Sequence, residues 1–240
     1  MRLTRYEFQE PSEQSLGLPQ PPLELPVPAD APRIELPEPH RLRLEPVDLL
    51  ALINKRRSLR HPSADPLTLQ ELSFLLWCTQ GVKEVTSRPA TLRPVPSAGA
   101  RHAFETFVMA FRVQELPVGL YRFIAGEHRL TPVDLSPDVG ERVILALSNQ
   151  DGVRASAATF IWVAVRARMY WRYGERGYRY LHLDAGHVCQ NLYLAAEAIG
   201  AGACAIGAFL DEDTCRVLGV DGVELFPIYA ATVGKRKQTA

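Results

Sequence analysis

Residues 177–200 read GYRYLHLDAGHVCQNLYLAAEAIG, and no other stretch of the chain is as long, as apolar and as uninterrupted. Leu181, Ala185, Val188, Leu192, Ala195 and Ile199 recur at threes and fours, which marks one side of an α-helix. Leu183, Gly186, Tyr193, Leu194 and Ala198 fall elsewhere around the wheel, leaving little of the circumference for water. A helix apolar nearly all round is buried on more than one side. Ala185, Gly186, Ala195, Ala196 and Ala198 permit close backbone approach. We read a central helix that also meets a partner subunit; a helix sandwiched inside the α/β layers of a monomer fits the pattern equally well.

Composition matters mainly for what it excludes. Of 240 residues, 47% are hydrophobic, ample for the core of one large or two small domains. Twenty-seven basic residues balance 27 acidic ones. No global field therefore draws the chain to nucleic acid or an anionic membrane, and any anion must be held locally. Cys78, Cys189, Cys204 and Cys215 are scattered, without a CxxC pair or histidines at zinc spacing, so no metal site is expected. Reduced thiols in a cytoplasm are the simplest account. No run approaches the roughly 18 apolar residues of a membrane span, and MRLTRYEFQEP lacks the apolar centre of a signal peptide.

Residues 11–46 hold ten of the 19 prolines. Proline lacks an amide donor and fixes φ, so this segment cannot enter a sheet interior or a long helix. The expected organisation is an extended arm, 1–45, followed by one folded domain, 46–240. Leu23, Leu25, Val27, Ile34 and Leu36 offer apolar anchors, favouring an arm that wraps its own domain.

The folded part opens with a short amphipathic helix carrying Val47, Leu49, Leu50 and Ile53. It runs into Lys55-Arg56-Arg57-Ser58-Leu59-Arg60, which is either a local anion site or a solvated basic tip. Thr68 and Glu71 form a capping box ahead of Leu69, Leu72, Leu75 and Leu76, and Gly81 stops that helix. Pro96-Ser97-Ala98-Gly99-Ala100 would let a flat or anionic ligand approach the backbone, a weak signal alone. Strands are expected over 105–113, 119–123, 128–133 and 157–165, with a helix over 137–147. Tyr170, Trp171, Arg172 and Tyr173 cluster where the last of these strands passes to the central helix, as a substrate wall or as packing over the core edge. His182 and His187, five apart, share no helix face and read as packing or capping residues. Residues 200–205 match GxGxxA, but that fingerprint must follow a strand and open a helix, whereas here a helix precedes it. The segment reads instead as a strand ending in exposed amides around Gly207. Asp211 caps a short helix to Leu218, and 226–233 is the last strand.

Taken in order, KRRSLR, PSAGARHAFE, VGLYRF, RYGERGYRYLHLDAGHVCQNLYLAAEAIG and GACAIGAF followed by Asp211 resemble the nitroreductase superfamily, most closely its SagB-type dehydrogenase branch, over about residues 36–237. The resemblance implies an α+β fold, a central antiparallel or mixed sheet flanked by helices, in an intertwined homodimer whose long central helix lies at the interface. It also implies two FMN sites between the subunits and hydride transfer through flavin N5 by ping-pong exchange, with reduced nicotinamide or the substrate itself as donor. By similarity Arg56 and Ser58, with Arg57 beside them, hold the FMN phosphate and ribityl hydroxyls. Arg60 reaches the pyrimidine end, where reduced flavin carries negative charge. Pro96, Ser97, Ala98 and Gly99 of the second subunit line the same flavin, and Ile206, Gly207 and Ala208 supply main chain to N5 and O4. Lys235 and Lys237, on one side of an extended terminus, complete the phosphate cage.

Tyr170 and Trp171 are the implied substrate contacts, and Arg172-Tyr173 occupies the place of a Lys-Tyr pair of azoline oxidases. Arginine is a poor general base, which weighs against azoline oxidation and leaves Tyr173 as the candidate acid or base. Two classes of function follow. One is an FMN oxidoreductase, acting on nitro, quinone or enone acceptors at NAD(P)H expense or dehydrogenating a small or peptide-derived biosynthetic intermediate. The other is an accessory protein that kept the fold and lost turnover.

Overall fold

The computed structural model describes residues 2–237. Residues 2–48 form only single 3-10 turns and a two-residue strand, β1 (Ile34–Glu35). Helix α1 (Leu49–Lys55) starts at Asp48, whose carboxylate accepts the Ala51 amide, and α2 (Leu69–Gln80) starts on the expected Thr68/Glu71 box, with both reciprocal bonds present. A small hairpin, β2 (Glu84–Val85) and β3 (Thr91–Leu92), leads to β4 (Phe104–Ala110), β5 (Gly119–Ile124) and β6 (Arg129–Asp134). Helices α3 (Val139–Ala146) and α4 (Asp151–Ala155) precede β7 (Ala158–Val165). The remainder is α5 (Arg166–Tyr173), α6 (Gly177–Ala198), β8 (Ala201–Ile206), α7 (Asp211–Leu218) and β9 (Leu225–Lys235).

Seven strands form one sheet in the order β1-β6-β5-β4-β7-β9-β8, every pair antiparallel. Alternate residues of the central strands feed two cores. Val108, Phe160 and Trp162 face α2 and α6, joining Leu72, Leu76, Val188 and Leu192. Met109, Ile161 and Val163 face α3, α4 and α7, joining Val143, Val153 and Leu218. Covering on both faces explains why 158–165 is apolar apart from the buried Thr159 instead of alternating.

Two observations revise the expected burial. Helix α6 keeps an exposed stripe, His182, Leu183, Gly186, His187 and Gln190, so its circumference is not closed within one chain. The apolar residues of α1 also face outward, with Leu49, Leu50 and Ile53 at 63%, 67% and 49% exposure. The aromatic cluster before α6 is itself a helix, α5, ended by Gly174 at φ +50. No helix among the described residues is long and apolar enough to cross a membrane.

The proline-rich segment wraps its own chain, as its apolar anchors predict. Its β1 adds to the sheet edge at β6, where proline-rich backbone is tolerated. The Trp171 indole N–H donates to the Leu18 carbonyl at 2.9 Å, and Arg168 Nε donates to the Pro22 carbonyl at 2.8 Å. Leu25 N–H donates to Glu105 Oε1, which also accepts from Arg168 at 2.6 Å in an ion pair whose side chains are both 3% exposed. A charge pair so deeply buried depends on further hydrogen bonds, and the arm supplies one to each member, leaving one Arg168 guanidinium nitrogen buried without a partner.

Candidate functional site

The segment after α1 crosses the free edge of the sheet. Leu59 N–H donates to the Ala203 carbonyl at 2.8 Å, extending the ladder by one residue beyond β8. Leu59 packs against Gly202, where a Cβ would come within 2.8 Å of it. On the α6 side, Ser58 Oγ lies 3.0 Å from the Tyr193 hydroxyl, and that hydroxyl accepts the Ala205 amide at 2.8 Å. The Arg56 guanidinium sits over the Tyr193 ring, 5.2 Å from its centre. Tyr193 thereby ties Arg56 and Ser58 to the strand that ends at Gly207. Among the described residues neither Arg56, Arg57 nor Arg60 has a carboxylate within ion-pair distance.

Arg60 goes the other way. It lines a cavity of about 460 Å³ with Cys204, Ile206 and Thr232 and the loop 148–152, on the sheet face away from Tyr193. Arg56 and Ser58, at Tyr193, thus do not meet Arg60, which lies with Ile206, so the segment does not continue past Leu59 as a regular strand, in which 58 and 60 would share a side. Gly207 and Ala208 lie at the exposed end of β8, where the Ala208 carbonyl accepts from Gln150 Nε2 at 2.8 Å. No protein atom requires glycine at 207: φ is not positive, and a Cβ would meet nothing nearer than Tyr229 at 4.0 Å. The space over this backbone is open.

The terminal cations are arranged differently from the expectation. Lys235 Nζ is held by Glu71 and by the Ile199 carbonyl, so it does not point to Ser58. Strand alternation instead aims Arg236 at the Gly202 side, where it pairs with the buried Glu197. Arg236 Nε and Glu197 Oε2 are buried without partners in the described chain. Lys237 is exposed.

A second cluster gathers at the start of α6. Ser97 Oγ donates to Asp184 Oδ2 at 2.6 Å, Ala98 N–H donates to Asp184 Oδ1 at 3.2 Å, and His102 N–H donates to Ser97 Oγ at 2.9 Å. Burial pushes the Asp184 carboxyl above its usual range, partly opposed by the Ser97 and Ala98 donors. Pro96 is exposed, and the backbone here is strained, with Gly99, Ala100 and His102 at φ +57, +54 and +41. A Cβ on Gly99 would strike the Tyr173 hydroxyl at 2.4 Å and Arg172 Nε at 2.7 Å, so glycine is required for this loop to touch α5. Burial and the neighbouring Arg172 push the Arg101 guanidinium down.

Of the residues expected at a substrate wall, Trp171 is buried beneath the arm and stacked by Arg101 at 5.4 Å, so it packs the arm instead of facing a mouth. Tyr170 is half-buried beneath the Arg166 guanidinium. Asp184 lies nine residues before Tyr193 on α6, about 14 Å along the axis. One chain therefore does not bring its own Pro96, Ser97, Ala98 and Gly99 to Arg56. Sequence reasoning does not single out Tyr193 or Asp184 as site residues; the one signal each carries is a polar atom on an otherwise apolar helix. His182 Nδ1 lies 2.7 Å from the Tyr178 carbonyl one turn back, on the exposed side of α6, so it is not a packing residue within this chain. No metal-binding group of histidine, cysteine and carboxylate occurs among the described residues. All four cysteines are free, and burial pushes the Cys78 and Cys189 thiols up to about 11 and about 12.

Comparison with known proteins bears on this geometry. A family model described as the nitroreductase family matches residues 53–235. MJ1384 of Methanocaldococcus jannaschii, named among the nitroreductases, is 33% identical over 207 residues, 86% of this chain and 98% of that one. The trifolitoxin-processing protein TfxB of Rhizobium leguminosarum bv. trifolii is 28% identical over 147 residues, 58% of this chain and 39% of that protein. A crystal structure from Ralstonia eutropha, described as a nitroreductase, is 25% identical with a TM-score of 0.70, covering 92% of this chain and 100% of that chain.

Proposed function

Because the chain belongs to the nitroreductase family, we propose that it is an FMN-dependent oxidoreductase that works as a homodimer, with one arm-wrapped FMN domain per chain. Members of this family are generally flavin oxidoreductases, and homologues of the fold bind FMN. The observation that carries the reading is the Ser58–Tyr193–Ala205 bridge, which ties a pair of cations lacking carboxylate partners, Arg56 and Arg57, to the strand leading to open backbone at Gly207.

The residues fit the cofactor. Arg56, with Arg57 beside it, supplies fixed positive charge for a phosphate, and the unpartnered Arg236 Nε adds a donor that Lys235, held by Glu71, does not. Ser58 offers a hydroxyl to a ribityl chain. Bare main chain at Gly207 and Ala208 admits a flat ring that any side chain would lift away. FMN, when bound, supplies two-electron hydride chemistry at N5, in successive half-reactions with donor and acceptor. The protein's part is to orient, exclude water and stabilise charge, and Arg60 is the cation available from the opposite face of β8.

A second copy fits both uncovered surfaces. The outward Leu49, Leu50 and Ile53 and the stripe containing Leu183 and Gly186 need covering, and the 14 Å offset between the Ser58 and Ser97 clusters is removed if each site takes the Ser97 loop from the partner. The similarity to TfxB supports a second reading of the acceptor side, in which the enzyme processes a peptide-derived intermediate instead of reducing a nitro or quinone compound.

Purified protein is expected to be yellow, with flavin absorption bands that bleach under anaerobic NAD(P)H. Yellow protein inert to both nicotinamides selects the dehydrogenase of a dedicated substrate. A colourless protein that cannot be reconstituted with FMN overturns the proposal in favour of a flavin-free accessory role.

A further inference from the structure

Residues 2–12 lie alongside the end of α5 and the start of α6, and the two surfaces flank an open cleft of about 540 Å³. Arg172, Tyr173, Arg176 and Tyr180 make its helical side, and Tyr6 and Gln9 project from the N-terminal side. The N-terminal side is fastened: Arg176 NH1 donates to the Thr4 carbonyl at 2.9 Å, the Arg176 amide donates to Gln9 Oε1 at 3.2 Å, and the Arg176 guanidinium lies 5.5 Å from the Tyr6 ring. The helical side is aromatic and edge-on, with Tyr173 and Tyr180 4.7 Å apart at 71°.

Charge in this cleft is unbalanced. Arg176 spends its donors on Thr4 and on the Tyr180 hydroxyl. Arg172 makes no hydrogen bond or ion pair with any described residue; it packs along Gly99 and lies over the Tyr173 face, 5.6 Å from the ring centre. Arg101 stands behind it and adds to the positive field, while Glu10 is the one carboxylate among the described residues of the cleft wall and bonds neither arginine. A half-buried guanidinium with no counter-ion, beside rings that present edges and faces, is a site for a planar anion, since its fork matches a carboxylate in two parallel bonds.

We propose that this pocket binds an aromatic carboxylate, its anion on the Arg172 guanidinium and its ring among Tyr173, Tyr180 and Tyr6. Arg172 then acts as an anchor instead of sharing proton transfer with Tyr173, and the N-terminal arm becomes a wall that sets specificity. The inference rests on the reading above only for placing the reacting centre next to this pocket; ligand binding itself needs no turnover.

The test is calorimetric titration of the full chain with benzoate and with its neutral isostere benzamide, in wild type, Arg172→Gln, Arg172→Lys and Tyr6→Ala. Benzoate is expected to bind at least tenfold more tightly than benzamide, with an affinity that falls as salt rises. Arg172→Gln should bring the ratio to within threefold, Arg172→Lys should retain part of it, and Tyr6→Ala should weaken both ligands alike. Equal affinities in wild type, no binding of either ligand, or an unchanged ratio in Arg172→Gln overturns the proposal. Flavin content, read by absorbance on the same samples before and after incubation with FMN, separates the two failures: colourless protein that cannot be reconstituted sinks the oxidoreductase reading, while the benzoate to benzamide ratio still decides the pocket.

Discussion

Ser58 and Tyr193 meet hydroxyl to hydroxyl at 3.0 Å across 135 positions of sequence, and the Arg56 guanidinium rests on the same tyrosine ring. This contact fixes where the loop's positive charge stands relative to β8. Arg56→Ala is therefore expected to raise the FMN dissociation constant by tenfold or more, from loss of a charge-assisted contact of about 1.5–3 kcal/mol. Tyr173→Phe should change it less than threefold. A flavin fluorescence titration giving the reverse order would remove Arg56 from the cofactor site.

Gly207 separates fold from function cleanly. Its Cβ position is open in the chain, so Gly207→Val should leave the thermal midpoint within about 2 °C. The same change should abolish flavin retention, because a branched side chain would occupy the surface on which the ring lies. Full flavin loading in this variant would show that the ring binds elsewhere.

The arm depends on Glu105. In Glu105→Gln the Arg168 guanidinium stays buried without its counter-charge, a change that costs about 3–5 kcal/mol. Limited proteolysis should then cut within residues 10–30 at protein concentrations and times that leave wild type intact. Glu105→Leu with Arg168→Met should be less damaging than either single change, since no lone charge remains. Wild-type resistance in the single variant would mean the arm is held by its other contacts.

Acid should destabilise the fold through His102. Burial, reinforced by Arg93 and Arg101, pushes its imidazole down to about 3 from 6.5. A depressed folded-state value means that the unfolded chain takes up a proton first, so the stabilisation is complete above pH 6.5. It is lost as pH falls toward 3, at a slope of at most about 1.4 kcal/mol per pH unit from this group. Denaturant midpoints at pH 7.5, 6.0 and 5.0 should fall steadily in wild type and less in His102→Gln. Parallel profiles would assign the acid sensitivity to other groups.

The outward face of α1 tests the assembly. With Leu50 67% exposed in the single chain, Leu50→Glu should leave the monomer fold intact and weaken self-association at least tenfold in sedimentation equilibrium. A wild-type chain that sediments as a monomer at micromolar concentration would refute the dimer.

Features that depend on residues within a few positions of each other are legible in the amino-acid sequence. The 3.6-residue pattern of 177–200 locates α6, Thr68 and Glu71 mark the start of α2, and the apolar run at 157–165 announces a strand covered on both faces. Helix α5 is not legible in the same way, because RARMYWRY carries aromatics and cations without a clean apolar stripe, and its helicity is imposed by packing against α6 and the arm.

Partner choice is also hidden from a local reading. Strand alternation alone puts Lys235 and Arg236 on opposite sides of β9, but only the folded chain shows that Glu71 takes Lys235 and leaves Arg236 on the Leu59 side. Nothing near Tyr193 or Asp184 in sequence names Ser58 or Ser97 as partner. By itself the sequence determined periodicity, helix caps and the proline-rich arm, because those constraints arise within a residue or between neighbours along the chain. Which polar atoms meet across 87 or 135 residues, and which faces stay uncovered, was decided by the tertiary structure, because burial makes each such atom find a partner in space.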